Sequence, residues 1–202
     1  MNNTDKEFVL EKYAMENYPD AGPWNLSLEN KYLEYMITRF FEEHFTVGEG
    51  TNICNIGIGA GSWDKYLSFK LNGGRLTSID IDEVACRKFR LCLEIEKNPA
   101  DIRVIVSDVL QVEGLENSID IVTMIGSTRM ESGLYESILN KAISFVKPGG
   151  SFYYQSLDQN EDQDAFLRIC EANGLTIEAS LSDAAYGIKA QYFKATKPLQ
   201  AK

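Results

Sequence analysis

The sequence predicts an α/β fold in which seven mostly parallel strands form one sheet, with helices on both faces and an antiparallel last strand. Apolar runs of strand length alternate with helical patterns from about residue 51 onward. A glycine-rich turn follows the first apolar run, and an acidic residue ends the second. Because parallel strands need a crossover connection, often a helix, this alternation is typical of a parallel sheet.

The glycine-rich turn is the most informative motif. It comprises Gly57, Gly59 and Gly61, and a helical pattern starts directly behind it at Ser62 and Trp63. Glycine accepts backbone angles that other residues avoid, and it lets the main chain approach a ligand closely. The following helix presents unpaired N–H groups to an electron-rich part of that ligand. The turn therefore predicts a nucleotide-cofactor site.

The later strands follow in a regular order. The second ends in Asp80, 23 residues after Gly57, and the third ends near Asp108. A fourth covers about 117–126, and a Lys-Pro-Gly-Gly turn at 147–150 leads into the fifth. The last two runs, about 175–181 and 187–196, are close enough to form a hairpin, which makes the final strand antiparallel.

In this order and spacing the chain resembles the class I S-adenosylmethionine-dependent methyltransferases, from about Thr51 to Lys197. The resemblance implies a Rossmann-like fold, S-adenosylmethionine as cofactor and S-adenosylhomocysteine as product. It specifies no subfamily. The implied organisation is an N-terminal helical cap over residues 1–50 and an S-adenosylmethionine-binding methyltransferase domain over residues 51–202.

The resemblance also implies roles at the ends of the strands. Asp80 would bind the ribose hydroxyls, with Ile81 against the adenine. Asp108 would face the adenine amino group, with Val109 beside it. The fourth strand would end next to the same ligand at Met124, Ile125 and Gly126.

One position departs from the family pattern. The residue two before the first glycine is usually acidic and orients the cationic amino acid end of the cofactor, but here it is Asn55. An amide accepts a hydrogen bond without supplying countercharge. We therefore expect weaker cofactor binding or a compensating carboxylate elsewhere.

The N-terminal segment predicts a helix with an amphipathic stripe, capped by Ser27. The stripe comprises Leu28, Tyr32, Leu33, Met36, Ile37, Phe40 and Phe41. Ahead of it, Tyr18 and Trp24 flank two prolines and are candidates for an aromatic lid over the substrate. The alternative is an N-terminal helix that only packs against the sheet.

Composition narrows the partners. Thirty acidic residues against 20 lysines and arginines give a net charge of −10, which disfavours nucleic acid and favours a small-molecule substrate. No apolar run is long enough to span a bilayer, and the polar N-terminus lacks a signal-peptide pattern, so we expect a cytoplasmic protein. The four cysteines form no C-x-x-C pair, and no metal site is expected.

Catalysis leaves a weak signal, because methyl transfer mainly requires positioning of the acceptor and exclusion of water. A general base is needed only for a protonated acceptor. The weak candidates are His44, Glu131, Tyr135 and Asp158. His44 is more simply a packed residue at a helix end, and the other three are more simply solvated loop or helix-start residues. The sequence after the fourth strand lacks the N/D-P-P-Y/F pattern of enzymes that methylate amino groups of nucleic acids and glutamine.

Two other functions remain open at this point. One keeps the cofactor but transfers another group, such as aminopropyl, or binds the cofactor without catalysis. The other is a nicotinamide-dependent oxidoreductase, whose glycine turn would normally read G-x-G-x-x-G; position 62 is instead serine.

Overall fold

The computed structural model of the protein describes residues 28–126, 135–157, 163–187 and 189–199. The helices are α1 (Leu28–His44), α2 (Ser62–Lys70), α3 (Glu83–Glu96), α4 (Tyr135–Phe145) and α5 (Gln163–Ala172). The strands are β1 (Ile53–Ile56), β2 (Arg75–Asp80), β3 (Asp101–Val106), β4 (Ile119–Ile125), β5 (Val146–Leu157), β6 (Thr176–Asp183) and β7 (Ala190–Thr196). Short 3-10 turns cover Val109–Gln111 and Ala185–Gly187.

The seven strands form one sheet in the order β3-β2-β1-β4-β5-β7-β6. Strand β7 is antiparallel to both of its neighbours, β5 and β6, and the other neighbouring pairs are parallel. This confirms the predicted fold class, including the antiparallel last strand and the hairpin before it.

The strand order reverses beside β1, and this positions the candidate site. Ile56 at the end of β1 pairs with Ile79 on one side and with Met124 on the other. The chain therefore leaves β1, β2 and β4 at the same edge of the sheet. In open α/β sheets, ligands bind at the carboxyl ends of the strands beside such a reversal.

Helix α1 covers one face of the sheet and builds an aromatic core with it. Phe40 stacks on Tyr153 with ring centroids 5.4 Å apart, and the Tyr153 hydroxyl donates a hydrogen bond to the Ile37 carbonyl at 2.9 Å. The predicted stripe is buried at Leu33, Met36, Ile37, Phe40 and Phe41. The prediction is wrong at Leu28, which is 62% exposed, because the inward face of the helix starts only one turn later.

The opposite face is covered by α4 and α5. Phe166 of α5 stacks on Tyr154 of β5 at 4.5 Å and lies 4.7 Å from Phe193 of β7. Leu139 and Ile143 of α4 belong to the same buried cluster. Burial on both faces of β5 explains why Phe152, Tyr153 and Tyr154 follow one another without polar alternation.

Two local predictions have clear outcomes. Asp82 follows the second apolar run and predicts the N-cap of a helix; the structure confirms it, since the Asp82 carboxylate accepts the N–H groups of Val84 and Ala85. The Lys-Pro-Gly-Gly segment is not a separate turn before β5 but an irregularity inside it. Val146 already pairs with Ile119, and regular pairing resumes only at Ser151.

Within the described ranges, no helix is long and apolar enough to cross a membrane. The same residues hold no group of three or more histidine, cysteine or acidic side chains suited to a metal ion. All four cysteines are free thiols, at Cys54 in β1, Cys86 and Cys92 in α3, and Cys170 in α5.

Candidate functional site

The glycine turn is tied to the end of β2 by Asp80. One carboxylate oxygen of Asp80 accepts the Ile58 N–H at 2.6 Å and the Gly59 N–H at 3.1 Å. The other accepts the Asp82 N–H at 2.9 Å. The three turn glycines all have positive φ, namely 87° at Gly57, 52° at Gly59 and 81° at Gly61. A carboxylate has about four acceptor positions, so Asp80 keeps capacity for a ligand hydroxyl.

The helix behind the turn starts where the sequence predicts. Helix α2 begins at Ser62, and the residue before it, Gly61, is left-handed and provides no side-chain cap. The first-turn N–H groups of an α-helix lack partners within the helix. Ser62 and Gly59 are exposed, and a Cβ atom built on Gly59 meets no atom of the described residues within 4 Å. The turn therefore leaves open space in front of a helix N-terminus, an arrangement that favours an anionic group.

A buried polar network lies beneath the turn, and its hydrogen bonds have a defined direction. The Trp63 indole N–H donates to the Thr123 hydroxyl at 3.2 Å, and that hydroxyl donates to the Asn55 side-chain oxygen at 2.7 Å. The Asn55 amide then donates to the Gly57 carbonyl at 3.0 Å and to an Asp64 carboxylate oxygen at 2.8 Å. These contacts fix the orientation of the Asn55 amide.

Asp64 is the residue that sequence reasoning missed. It is fully buried, and no ion pair among the described residues includes it. Burial raises the pKa of Asp64 to about 7, hydrogen bonds from Ser78 and Asn55 lower it in part, and the nearby Asp80 raises it. A signal for Asp64 did exist, because it shares a helix face with Leu67 and Ser68 at i+3 and i+4, which are also buried.

The acids and apolar residues predicted to contact adenosine lie at one edge. Ile81 follows Asp80 and is 73% exposed, a high value for a large apolar side chain. The N–H of Ser107 donates to the Asp80 carbonyl at 2.9 Å, which brings the end of β3 beside the end of β2. Asp108 comes next and accepts the Leu110 N–H at 2.9 Å.

The remaining predicted contacts differ in accessibility. Val109 is 7% exposed and Met124 is 3% exposed, and both side chains belong to the core on the α4 and α5 face. Ile125 and Gly126 are half-buried at the carboxyl end of β4, and the Gly126 N–H donates to the Gln155 carbonyl at 3.2 Å. The structure thus brings Ile125 and Gly126, but not the Met124 side chain, to the edge.

Trp63 is engaged in the aromatic core. Its ring stacks on Tyr66 at 5.1 Å and meets Phe41 edge-on at 5.3 Å. With its N–H bound to Thr123, the indole buttresses the turn from below, while its neighbour Ser62 is on the exposed side.

The structure describes two of the four catalytic candidates, His44 and Tyr135, and it does not bring these two together. His44 is the last residue of α1 and packs on Phe40 at 4.5 Å; the chain then runs to the amino end of β1, away from the glycine turn. Tyr135 opens α4 and is 9% exposed, with its ring 6.3 Å from Tyr154. Glu131, Asp158, Tyr18 and Trp24 lie outside the described residues, so their roles stay predictions.

Two buried polar side chains at the carboxyl end of β5 were not predicted. Gln155 and Tyr192 are register partners across β5 and β7, and they are 1% and 0% exposed. Register partners in an antiparallel pair share a face, here the face covered by α1. Among the described residues, neither the Gln155 side-chain oxygen nor the Tyr192 hydroxyl has a hydrogen-bond partner. Burial raises the pKa of Tyr192, so its hydroxyl is neutral and able to donate.

Comparisons with known proteins agree with this geometry. A family model described as "Methyltransferase domain" matches residues 53–150. Curated protein sequences give no match. An S-adenosylmethionine-dependent methyltransferase from Aquifex aeolicus superposes with a TM-score of 0.66 at 17% identity, covering 79% of this chain and 88% of the other.

Two further solved structures share the fold at 13% identity. One is magnesium protoporphyrin IX methyltransferase from Synechocystis, solved with bound S-adenosylmethionine. Its TM-score is 0.67, and the superposition covers 83% of this chain and 78% of the Synechocystis chain. The [4+2]-cyclase SpnF has a TM-score of 0.70 and covers 81% of this chain and 80% of its own. At such identities the structures establish the fold alone.

The methyltransferase-domain match over residues 53–150 and the sheet order support a class I S-adenosylmethionine-dependent methyltransferase whose subfamily is not specified. The residues at the site fit its cofactor. The open face of the turn at Gly59 leaves room for a ligand, and Asp80 retains acceptor capacity beside it.

Proposed function

We propose that this enzyme transfers the methyl group of S-adenosylmethionine to a small-molecule acceptor at the carboxyl ends of β4 and β5, beside the amino end of β7. The observation that carries the proposal is the Asp80 carboxylate bound to the backbone of the glycine turn. That contact sets a ribose-binding acid directly against a turn suited to the rest of the cofactor.

Each part of the cofactor has a candidate partner. The exposed start of α2 at Ser62 suits the carboxylate of the amino acid end, because a helix N-terminus favours negative charge. The remaining acceptor position of Asp80 suits a hydroxyl of the ribose. The exposed Ile81 side chain offers an apolar surface to the adenine, and Asp108 offers a hydrogen-bond acceptor to the adenine amino group.

The acceptor site is supported by the polar pair on β5 and β7. Gln155 and Tyr192 are buried on the α1 face, with Ile125 of β4 in register beside Gln155. An unsatisfied buried polar group costs about 1–3 kcal/mol, so a polar ligand atom that pairs with it gains affinity. The Tyr192 hydroxyl can donate and the Gln155 oxygen can accept, which suits a neutral acceptor carrying a hydroxyl, amine or carbonyl.

The bound cofactor would supply a methyl group already activated on a sulfonium. The residues of this chain then have to hold the acceptor in line and keep water out. The aromatic core formed by α1, Trp63 and Tyr153 closes the face on one side. A net charge of −10 supports a small acceptor over nucleic acid.

Formation of S-adenosylhomocysteine in the presence of candidate small acceptors tests the proposal. We expect turnover with at least one neutral polar compound. Tyr192→Phe and Gln155→Leu should raise the KM for that acceptor while leaving S-adenosylmethionine affinity unchanged. Cofactor binding with no methyl transfer to any acceptor would contradict the proposal, and the fold shared with a [4+2]-cyclase makes that outcome a real test.

A further inference from the structure

Asp64 is a buried carboxylate, and no cationic side chain among the described residues forms an ion pair with it. It is fully buried in the first turn of α2, where the Asn55 amide donates to it at 2.8 Å and the neutral Ser78 hydroxyl lies beside it. A buried charge is costly unless it is paired. Here the nearby Asp80 adds to the cost, because it is also acidic.

The hydrogen-bond network links Asp64 to the ligand-facing turn. The same Asn55 nitrogen that donates to Asp64 also donates to the Gly57 carbonyl at 3.0 Å. Thr123 holds the other end of the Asn55 amide, so the amide cannot turn away without breaking its contacts. The negative charge of Asp64 therefore lies one side chain behind the backbone of the turn.

We infer that Asp64 is a positioning residue that acts through Asn55 and supplies the negative charge behind the glycine turn, where the positively charged amino acid end of S-adenosylmethionine binds. This inference rests on the proposed placement of the cofactor at the turn. It answers the expectation of a compensating carboxylate that followed from Asn55.

The charge on Asp64 makes cofactor affinity depend on pH. The titratable groups that face Asp64 are the Cys54 thiol on β1 and the Asp80 carboxylate at the end of β2. Burial raises the pKa of Cys54, so the thiol is neutral throughout. The pKa of Asp64 lies at about 7. A bound cation lowers that pKa, so binding below pH 7 must release the proton, and affinity falls as the pH drops.

Titration calorimetry with S-adenosylmethionine, from pH 5.5 to 8.5 in two buffers of different ionisation enthalpy, measures both affinity and proton release. For the unmodified protein we expect affinity to rise with pH and level off above about 7, with about half a proton released per cofactor near pH 6.5. Asp64→Asn should lose about tenfold in affinity at pH 8, together with the pH dependence and the proton release.

A transposed variant makes the test specific. Asn55→Asp combined with Asp64→Asn moves the carboxylate to the other end of the same hydrogen bond, and we expect affinity at pH 8 to return to within about threefold of the original. A double variant that binds no better than Asp64→Asn would overturn the inference. So would an unchanged affinity and pH profile in Asp64→Asn.

5′-Methylthioadenosine, which lacks the charged amino acid end, separates this inference from the proposed function. Its affinity should be equal in the unmodified protein and in Asp64→Asn; an equal loss for both ligands would mean that the variant distorts the site and would overturn a charge-specific role. If neither ligand binds the unmodified protein at any pH, the proposed function fails. If both bind without pH dependence, only the inference fails.

Discussion

The Asp80 carboxylate accepts the Ile58 N–H at 2.6 Å, so the acid predicted to bind a ribose also holds the glycine turn against β2. The same side chain therefore holds the turn in place and is predicted to bind the ribose. The turn keeps its shape through a residue that we propose the ligand also contacts, so binding and local order at this site are expected to be lost together.

Asp80→Asn should weaken S-adenosylmethionine binding by on the order of 2–4 kcal/mol. The amide places N–H donors where the carboxylate accepts backbone N–H groups, so the melting temperature of the unliganded protein should fall as well. Calorimetric titration and thermal unfolding measure the two effects. The matched control is Asp101→Asn at the start of β3, where the side chain is 58% exposed in a surface pair with Arg75. Unchanged cofactor affinity in Asp80→Asn would refute the assignment.

Alanine at two turn positions separates strain from ligand contact. At Gly61 a Cβ atom would lie 3.1 Å from Phe89, and φ is 81°, so Gly61→Ala should cost about 1–3 kcal/mol of stability. At Gly59 a Cβ atom would meet no atom of the described residues within 4 Å, and φ is 52°, so Gly59→Ala should cost about 1–2 kcal/mol of stability from the backbone angle alone.

The added methyl at Gly59 occupies the open face of the turn, where we propose the cofactor lies. Gly59→Ala should therefore lose more cofactor affinity than Gly61→Ala while keeping more stability. Denaturant unfolding and calorimetry on both variants decide the point. The reverse ranking in affinity would place the cofactor elsewhere.

The buried Asp64 carboxyl should destabilise the unliganded protein at high pH. Its pKa is raised from 3.8 to about 7, so between these values the folded protein keeps a proton that the unfolded chain has released. The free energy of unfolding therefore falls as pH rises through this window, and the loss is complete above about pH 7.

Asp64→Asn removes that penalty, which amounts to at most about 4 kcal/mol. The variant should melt at a higher temperature than the unmodified protein at pH 8, and the difference should shrink towards zero near pH 4. Thermal unfolding over this range, without cofactor, provides the measurement. A lower melting temperature for Asp64→Asn at pH 8 would show that the charge is already compensated in the protein.

Tyr153 connects the sheet to α1. Tyr153→Phe removes the hydroxyl that donates to the Ile37 carbonyl at 2.9 Å, and we expect a loss of about 1 kcal/mol in the free energy of unfolding. Tyr35→Phe is the control, because Tyr35 lies on α1, the helix that carries Ile37, and its side chain is 57% exposed. Equal effects in urea unfolding would argue against a specific role for the buried hydroxyl.

Most of the fold followed from local pattern. The alternation of apolar runs and helical patterns predicted the strands, the glycine turn and Asp82 predicted the starts of α2 and α3, and a short connection predicted the final hairpin. The pattern failed where a residue's environment depends on distant elements. The helical pattern after Asp82 predicts that Val84 faces inward, but Val84 is 37% exposed, since its neighbour Ala85 takes the buried position.

The sequence predicted the site residues that end strands, but it did not predict contacts between residues that are far apart in the chain. Asp80 and Asp108 end strands, so their shared edge follows from a parallel sheet. Tyr192 meets Gln155 only because β7 inserts between β5 and β6, a long-range pairing that local sequence does not encode. Asp64 was missed because an acid in the first turn of a helix is usually a solvated partner of the helix dipole.

The predicted domain division and the predicted aromatic lid stay predictions. The division into a cap over residues 1–50 and a domain over residues 51–202 is untested, although α1 shares a buried cluster with the sheet. The aromatic lid at Tyr18 and Trp24 lies outside the described residues. Deleting residues 1–26 should abolish turnover while the domain stays folded, and retained turnover would rule the lid out.

Calorimetric titration of the full chain at pH 8 with S-adenosylmethionine, S-adenosylhomocysteine and NADH tests the central claim most directly. We predict one site that binds the first two compounds with dissociation constants on the order of micromolar, and no heat of binding with NADH. Binding of NADH in place of the other two, or no binding of any of them, would contradict the assignment of this glycine turn to S-adenosylmethionine.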